Sequence, residues 1–424
     1  MLPRETQYSV SALPECTTSS YVSRAVNGSA FIGGSQQIQT NLIQNKDCFL
    51  IPSSMYAQFT ISVDAHAADV NVLLGLPAAS VFDRSDVFIN STSVDTINNY
   101  GAVVNMLYNG KIDVAGKMGL SKALGNEFVE NAANEVDSRT IAAASGTNTF
   151  SVAIPLANII SLQDKLYPVF AGETRVYLTI SDILNWSCKS DGSASTLTNL
   201  TVSNFEIHYK AITFDAATSA LIMSQVQPDG QIYLKSESYQ SSVANLPTGS
   251  SGSVGLVFAN SLTSIKSLFT QFCRADRFKT NCGAGYDPQF TSFNYEVAGK
   301  NYPQTAYTSQ GVGGITLEVL EAFNGVMSHA EASSTSMSAN NWRLLNDAFG
   351  ADSYKDLPKT YFAYNCEKLP TSTALNGISS QNSNIVVRLS IGTATTATST
   401  VVQVFQHDCI LKYDPLAGSV VVMR

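Results

Sequence analysis

Four histidines, His66, His208, His329 and His407, are the residues of this 424-residue chain best suited to proton transfer or metal ligation near neutral pH. His66 stands in the densest polar cluster, Asp64-Ala-His66-Ala-Ala-Asp69. An imidazole between two carboxylates has the donors for a metal or an acid/base pair. No further ligand is fixed beside it, so the cluster reads as the loop after a strand ending at Val63. His208 lies in FEIHYKAITFD, Phe205 to Asp215, and His407 in VFQHDCILKYD, Val404 to Asp414. Both are fourth in their phrase, but His208 alternates with Glu206 and Lys210, and His407 with Phe405 and Cys409. One face is polar and the other apolar. A shared reaction needs like surroundings, so both histidines are expected to be structural, binding neither metal nor substrate.

The remaining candidates are weaker. Cys273 and Cys282 enclose the basic loop RADRFKTN, and a metal knuckle would need a second pair at short spacing, which does not follow. The stretch TGSSGSVG, Thr248 to Gly255, lacks the Lys-Ser/Thr of a phosphate loop and precedes a strand, so it reads as a turn. There is no G-x-S-x-G elbow and no H-E-x-x-H. No catalytic, cofactor-binding or metal-ligating residue is assigned, no cofactor is expected, and the chain is not expected to be an enzyme.

Composition narrows the partners. Charged residues make up 14% of the chain, against about 25% in typical soluble domains. A surface poor in charge is the kind that neighbours cover, because interface cores are depleted in charge. The net charge of −8 gives no electrostatic grip on phosphates, so direct sequence-specific nucleic acid binding is not expected. The start, MLPRETQYSV, lacks an apolar h-region, and no apolar run is long enough to span a membrane, so neither a signal peptide nor a transmembrane segment is expected. Seven cysteines without CxxC spacing read as reduced thiols, and the sequons at Asn27, Asn90, Asn185 and Asn199 as chance matches.

The elements that carry these residues are mostly strands. Tyr56–Val63, Thr149–Ile154, Arg175–Ile180, Phe293–Ala298, Thr360–Asn365 and Asn384–Ile391 are short, rich in β-branched and aromatic residues, and bounded by Gly, Pro, Asn or Ser. Three helices are predicted. VDTINNYGAVVNMLYNG aligns Ile97, Val104 and Leu107, with Asp95 to cap its start and Gly110 its end. GITLEVLEAFNGVM aligns Leu317, Leu320 and Met327, and NNWRLLNDAFG places Trp342 and Leu345 together.

These landmarks recur. In each half a strand, DVFIN and then NYEVA, leads through a turn-rich stretch to a helix, with Ile89 and Val297 208 residues apart. Tyr177 and Arg388 follow at 211, and Asp215 and Asp414 close the halves at 199. Three element types in one order at near-constant spacing indicate an internal duplication. The expected fold class is all-β: two consecutive eight-stranded jelly rolls with short helices inserted in loops. The expected division is an N-terminal arm over 1–35, a first jelly roll over 36–215, a linker over 216–240 and a second jelly roll over 241–424. In the two closing phrases, the pairs Ile212/Phe214 and Leu411/Tyr413 are expected to be buried, with a bulge near Ala211 moving the first pair across the strand.

Several phrases resemble the double jelly-roll major capsid proteins of the adenovirus-hexon and tectivirus lineage, above all those of virophages, polinton-like viruses and adintoviruses. VFDRSDVFINSTSVDTINNYGAVVNMLYN, with Asn99–Tyr100 and Asn105–Leu107, is similar to a strand-turn-helix stretch of their first jelly roll. Ile154, Pro155, Leu156, Pro168 and Gly172 match a second segment, and VAGKNYPQ, Val297 to Gln304, a turn of the second jelly roll. The resemblance covers about 70 residues in phrases and most of the chain in architecture. It implies a structural subunit of the virion: a homotrimer of pseudo-hexagonal outline that tiles an icosahedral capsid shell, touching neighbouring capsomers and minor capsid and penton proteins. The alternative is a jelly-roll carbohydrate- or receptor-binding protein.

Overall fold

The computed structural model describes residues 16–43, 45, 48–65, 72–74, 77–112, 114–125, 127–130, 135–138, 140–141, 146–163, 165–189, 196–224, 230–274, 288–309, 312–324, 361–368, 375–396, 398–414 and 419–424. Among the described residues, each half has eight principal strands arranged in two main antiparallel sheets. In the second half these are Ile232–Leu246, Gly252–Ala259, Ile265–Arg274, Phe290–Val297, Lys300–Thr308, Tyr361–Asn365, Asn384–Ile391 and Ser399–Asp414. Counted along the chain, they pair in the orders 1-8-3-6 and 2-7-4-5.

The first half repeats both orders. Its first strand is broken into Cys16–Arg24 and Ala30–Ile32, which lie along Thr198–Phe214. That long strand pairs on its other edge with Tyr56–Ala65, and Tyr56–Ala65 with Gly146–Pro155. The facing sheet runs Gln37–Asn41, Thr174–Ile180, Phe82–Ile89, Thr92–Asn98. Eight strands wound in this order are a jelly roll, and the chain holds two in succession. Alternation supplies each core: along Tyr56–Ala65 every second side chain from Ala57 to Ala65 is buried.

The landmarks used to detect the repeat end equivalent strands, Phe82–Ile89 and Phe290–Val297. The stretch expected to be turn-rich holds another strand in each half, Thr92–Asn98 and Lys300–Thr308. Both are half-buried hairpin partners whose polar residues hide the pattern. The helix predicted from Val94 therefore starts later, at Tyr100, with Asn99 in the left-handed conformation (φ 47°) at its N-cap. Asp95 caps nothing; it is buried in the preceding strand. Gly110 does not end the helix, which runs to Lys111. In the second half the helix is Val312–Asn324, where Ile315, Val319 and Phe323 are buried while Leu317 is 49% exposed. The third predicted helix lies outside the described residues.

The bulge is displaced too. Register between Thr198–Phe214 and Tyr56–Ala65 shifts between Thr198 and Thr201 and between Ser203 and Glu206, with Asn199 and Asn204 left-handed (φ 55° and 52°). Beyond it Phe205, Ile207, Tyr209 and Ala211 are buried in unbroken alternation, so Ile212 and Phe214 fall on the outward face and are only half-buried. Their counterparts Leu411 and Tyr413 are buried.

Candidate functional site

The densest polar chemistry among the described residues is a seam where the halves meet. Strand Thr92–Asn98 of the first half runs beside Ile232–Leu246 of the second. Asp95 is 2% exposed; its Oδ1 accepts from Ser238 Oγ at 2.5 Å and its Oδ2 from the Ile159 backbone N–H at 2.9 Å. Ser236 Oγ donates to the Ile159 carbonyl at 2.5 Å, and Arg424 donates from Nη2 to the Val94 carbonyl at 2.7 Å. Burial pushes the Asp95 carboxyl up to about 6, against the two hydrogen bonds and the nearby guanidinium. A carboxylate whose oxygens are both taken by protein donors, with no open side, is a structural tie rather than a general base.

Ser241 is bonded from the same half. Its hydroxyl donates to the Asn98 carbonyl at 2.6 Å and accepts from Asn99 Nδ2 at 3.0 Å. Ser238 and Ser241 sit three apart on a strand and so point to opposite faces. The first half thus wraps the strand's edge, and helix Tyr100–Lys111 continues over the outward face of the sheet. There Tyr361 OH donates to Asn105 Oδ1 at 2.9 Å, Asn109 Nδ2 to the same oxygen at 3.0 Å, and the fully buried Lys117 to Asn109 Oδ1 at 3.0 Å. Gly110 explains itself at this contact: a Cβ there would come within 2.4 Å of the Phe323 ring. Helix Val312–Asn324 lies on the same sheet face, with Phe323 and Phe269 rings 4.6 Å apart. Ser399–Asp414 is consequently buried on both faces over most of its length.

An ion cluster lies on that outward face. Lys266 Nζ meets Glu237 and, at 2.9 Å, Glu367, while Gln406 Nε2 donates to Glu237 at 2.8 Å. Burial opposes charge on Lys266, yet the two carboxylates hold its ammonium above the ordinary value.

The sequence-predicted candidates are scattered. Asp64 braces strand ends, its Oδ1 accepting from Thr147 Oγ1 at 2.6 Å and its Oδ2 from Asn199 Nδ2 at 2.7 Å. His66, Asp69, Cys282, His329 and Trp342 lie outside the described residues. His208 stacks on Tyr56 (4.9 Å, 3°) on the outward face of the first sheet, with Nε2 3.3 Å from Glu206. His407 is 1% exposed, and burial pushes it down to about 4. Cys273 is buried, which pushes its thiol up to about 12, away from thiolate chemistry. In the glycine-rich stretch, Ser250 N–H donates to the Pro247 carbonyl and a strand begins at Gly252. Among the described residues no three His, Cys, Asp or Glu side chains are grouped to hold a metal. A cavity of about 520 Å³ is lined by Ala259, Asn260, Ser261, Asn382, Ser383 and Asn384, without an aromatic platform for a sugar. Sequence reading missed Ser236 and Ser238 because small hydroxyls on a strand carry no spacing signal; both fell within the stretch expected as a linker.

No protein-family model matches the sequence, and no curated protein matches it. Among solved structures the chain is similar to the Vp54 protein of the virus PBCV-1 fitted into a reconstruction of the virophage Sputnik, with a TM-score of 0.63, 12% identity, and 99% of each chain covered. It is similar to the Faustovirus major capsid protein (TM-score 0.59, 9% identity, 96% of this chain and 92% of that one). The mavirus major capsid protein follows at 0.55 and 11%, over 99% of this chain and 93% of that one. At such identities the likeness establishes the fold alone, a double jelly roll.

Proposed function

We propose that the chain is a viral major capsid protein, a structural subunit of an icosahedral virion shell. The observation that carries this is the seam: two jelly rolls of one strand order are locked side by side by a buried carboxylate, a buried amide chain and a helix laid across the partner sheet. A unit of two like, rigidly joined blocks is what a hexagonal tile needs, since three copies around a threefold axis supply six similar sides. Full-length likeness to capsid proteins of PBCV-1, Faustovirus and mavirus supports the same reading. Partners on this reading are two further copies, neighbouring trimers, and minor capsid and penton proteins. The contacts of the seam join the two halves of one chain.

Light scattering of the purified chain tests it. The expected mass is three times 45.4 kDa; a monomer at micromolar concentration contradicts it. Saturable glycan binding by such a monomer would instead support the carbohydrate-binding alternative.

A further inference from the structure

The two equivalent sheets differ in what covers them. In the second half, the outward face of the 1-8-3-6 sheet carries helix Tyr100–Lys111, contributed by the first half, and its own helix Val312–Asn324. In the first half the described residues leave part of the corresponding face exposed. Val22, His208 and Tyr56 stand opposite one another across three strands of it, and Val22 is 41% and Tyr56 38% exposed. Lys210 is exposed beside them.

Inside the chain, then, the segment following the fifth strand of one jelly roll lies on the outward sheet face of the next. Repeating that contact from the second half of one copy to the first half of another continues the series, and closure after three copies leaves no face unused. The matching segment of the second half follows strand Lys300–Thr308 and begins with helix Val312–Asn324. Its exposed side bears Leu317, with the half-buried Glu318 and Glu321 beside it; positions four apart share a helix face. An apolar and acidic helix edge complements an apolar and aromatic sheet face on which Glu206 is paired with Arg24 and Lys210 is exposed. We infer that the outward face around Val22, Tyr56, His208 and Lys210 is the seat of a second copy's helix Val312–Asn324, with Leu317 against the Val22–Tyr56 row and Glu321 toward Lys210. The inference rests on the trimer reading above and assigns it a surface.

Thiol cross-linking decides it. In the full chain carrying Cys16→Ser, which removes an exposed thiol on the same edge strand, Val22→Cys and Leu317→Cys are combined and treated with a short bis-maleimide. The expected product is a covalent three-chain species; each single variant yields none, and mixing the two single variants under subunit exchange yields linked pairs. Lys210→Glu, whose fold is verified by circular dichroism, is expected to raise the concentration at which trimers half-dissociate at least tenfold. If the wild type is trimeric but the double-cysteine chain does not cross-link through this pair, or Lys210→Glu leaves the dissociation midpoint unchanged, the surface is overturned while the trimer reading stands. A monomeric wild type overturns both.

Discussion

The two halves share their strand order but are finished differently, and the closing strands show it best. Ser399–Asp414 is enclosed by its own barrel and the first half on one face and by two helices on the other; Thr198–Phe214 is buried on one face only. Beyond the central pairing, Cys48–Leu50 extends the first closing strand, whereas Ser419–Met423 extends the second and reaches strand Thr92–Asn98 with Arg424. A duplicated fold therefore keeps its backbone plan while its outward faces diverge: one is covered within the chain, the other is left partly exposed by the described residues.

The largest expected effect compares the barrel-core face of the enclosed strand with the outward face of the open one. Phe405→Ala, at a 0% exposed position, is expected to lose about 3–5 kcal/mol of stability through cavity formation. Phe214→Ala, on the open side, is expected to lose less than half as much. Denaturant unfolding of the two variants checks the ratio, and equal losses would remove the distinction.

Next comes the tie itself. The Asp95 carboxyl sits near 6 when folded against an ordinary 3.8, so the folded chain prefers it protonated. Its contribution is present below about pH 3.8 and is lost as pH rises through about 6. The stability difference between wild type and Asp95→Asn is expected to change by roughly 3 kcal/mol across that window and to be flat above pH 7. His407 runs the other way, its contribution present above 6.5 and lost as pH falls through about 4. Because both proteins carry His407, their difference isolates Asp95. A difference independent of pH between 4 and 6 contradicts its burial.

Gly110→Ala should follow. An exposed helical glycine gains about 1 kcal/mol on becoming alanine, but the methyl at this position meets the Phe323 ring. A net loss of about 1–3 kcal/mol is expected from overpacking, and thermal unfolding showing a gain would mean that the helices do not meet there. The smallest effect is His208→Gln, on the partly exposed face, expected to fall within about ±0.5 kcal/mol in an isolated chain.

The fold was largely legible because its evidence is periodic. Alternating apolar residues in Tyr56–Ala65 and Asn384–Ile391 and the spacing of Ile89 to Val297 survive without tertiary information. The seam was not. Asp95 resembles a helix cap in sequence, because the strand it occupies is short, polar and followed at once by a helix. Gly110 resembles a helix stop, because the Phe323 ring that demands a glycine lies more than two hundred residues away in the chain. The outward position of Ile212 and Phe214 is hidden in the sequence, because the left-handed Asn199 and Asn204 that set the register leave no apolar signature. What depends on one strand's own pattern could be read; what depends on which strands become neighbours could not.

Negative-stain microscopy of the purified full-length chain tests the central claim most directly. The expected class averages show six lobes in a hexagonal outline with threefold symmetry, each copy contributing two adjacent lobes. Isolated two-lobed particles at micromolar concentration would contradict it.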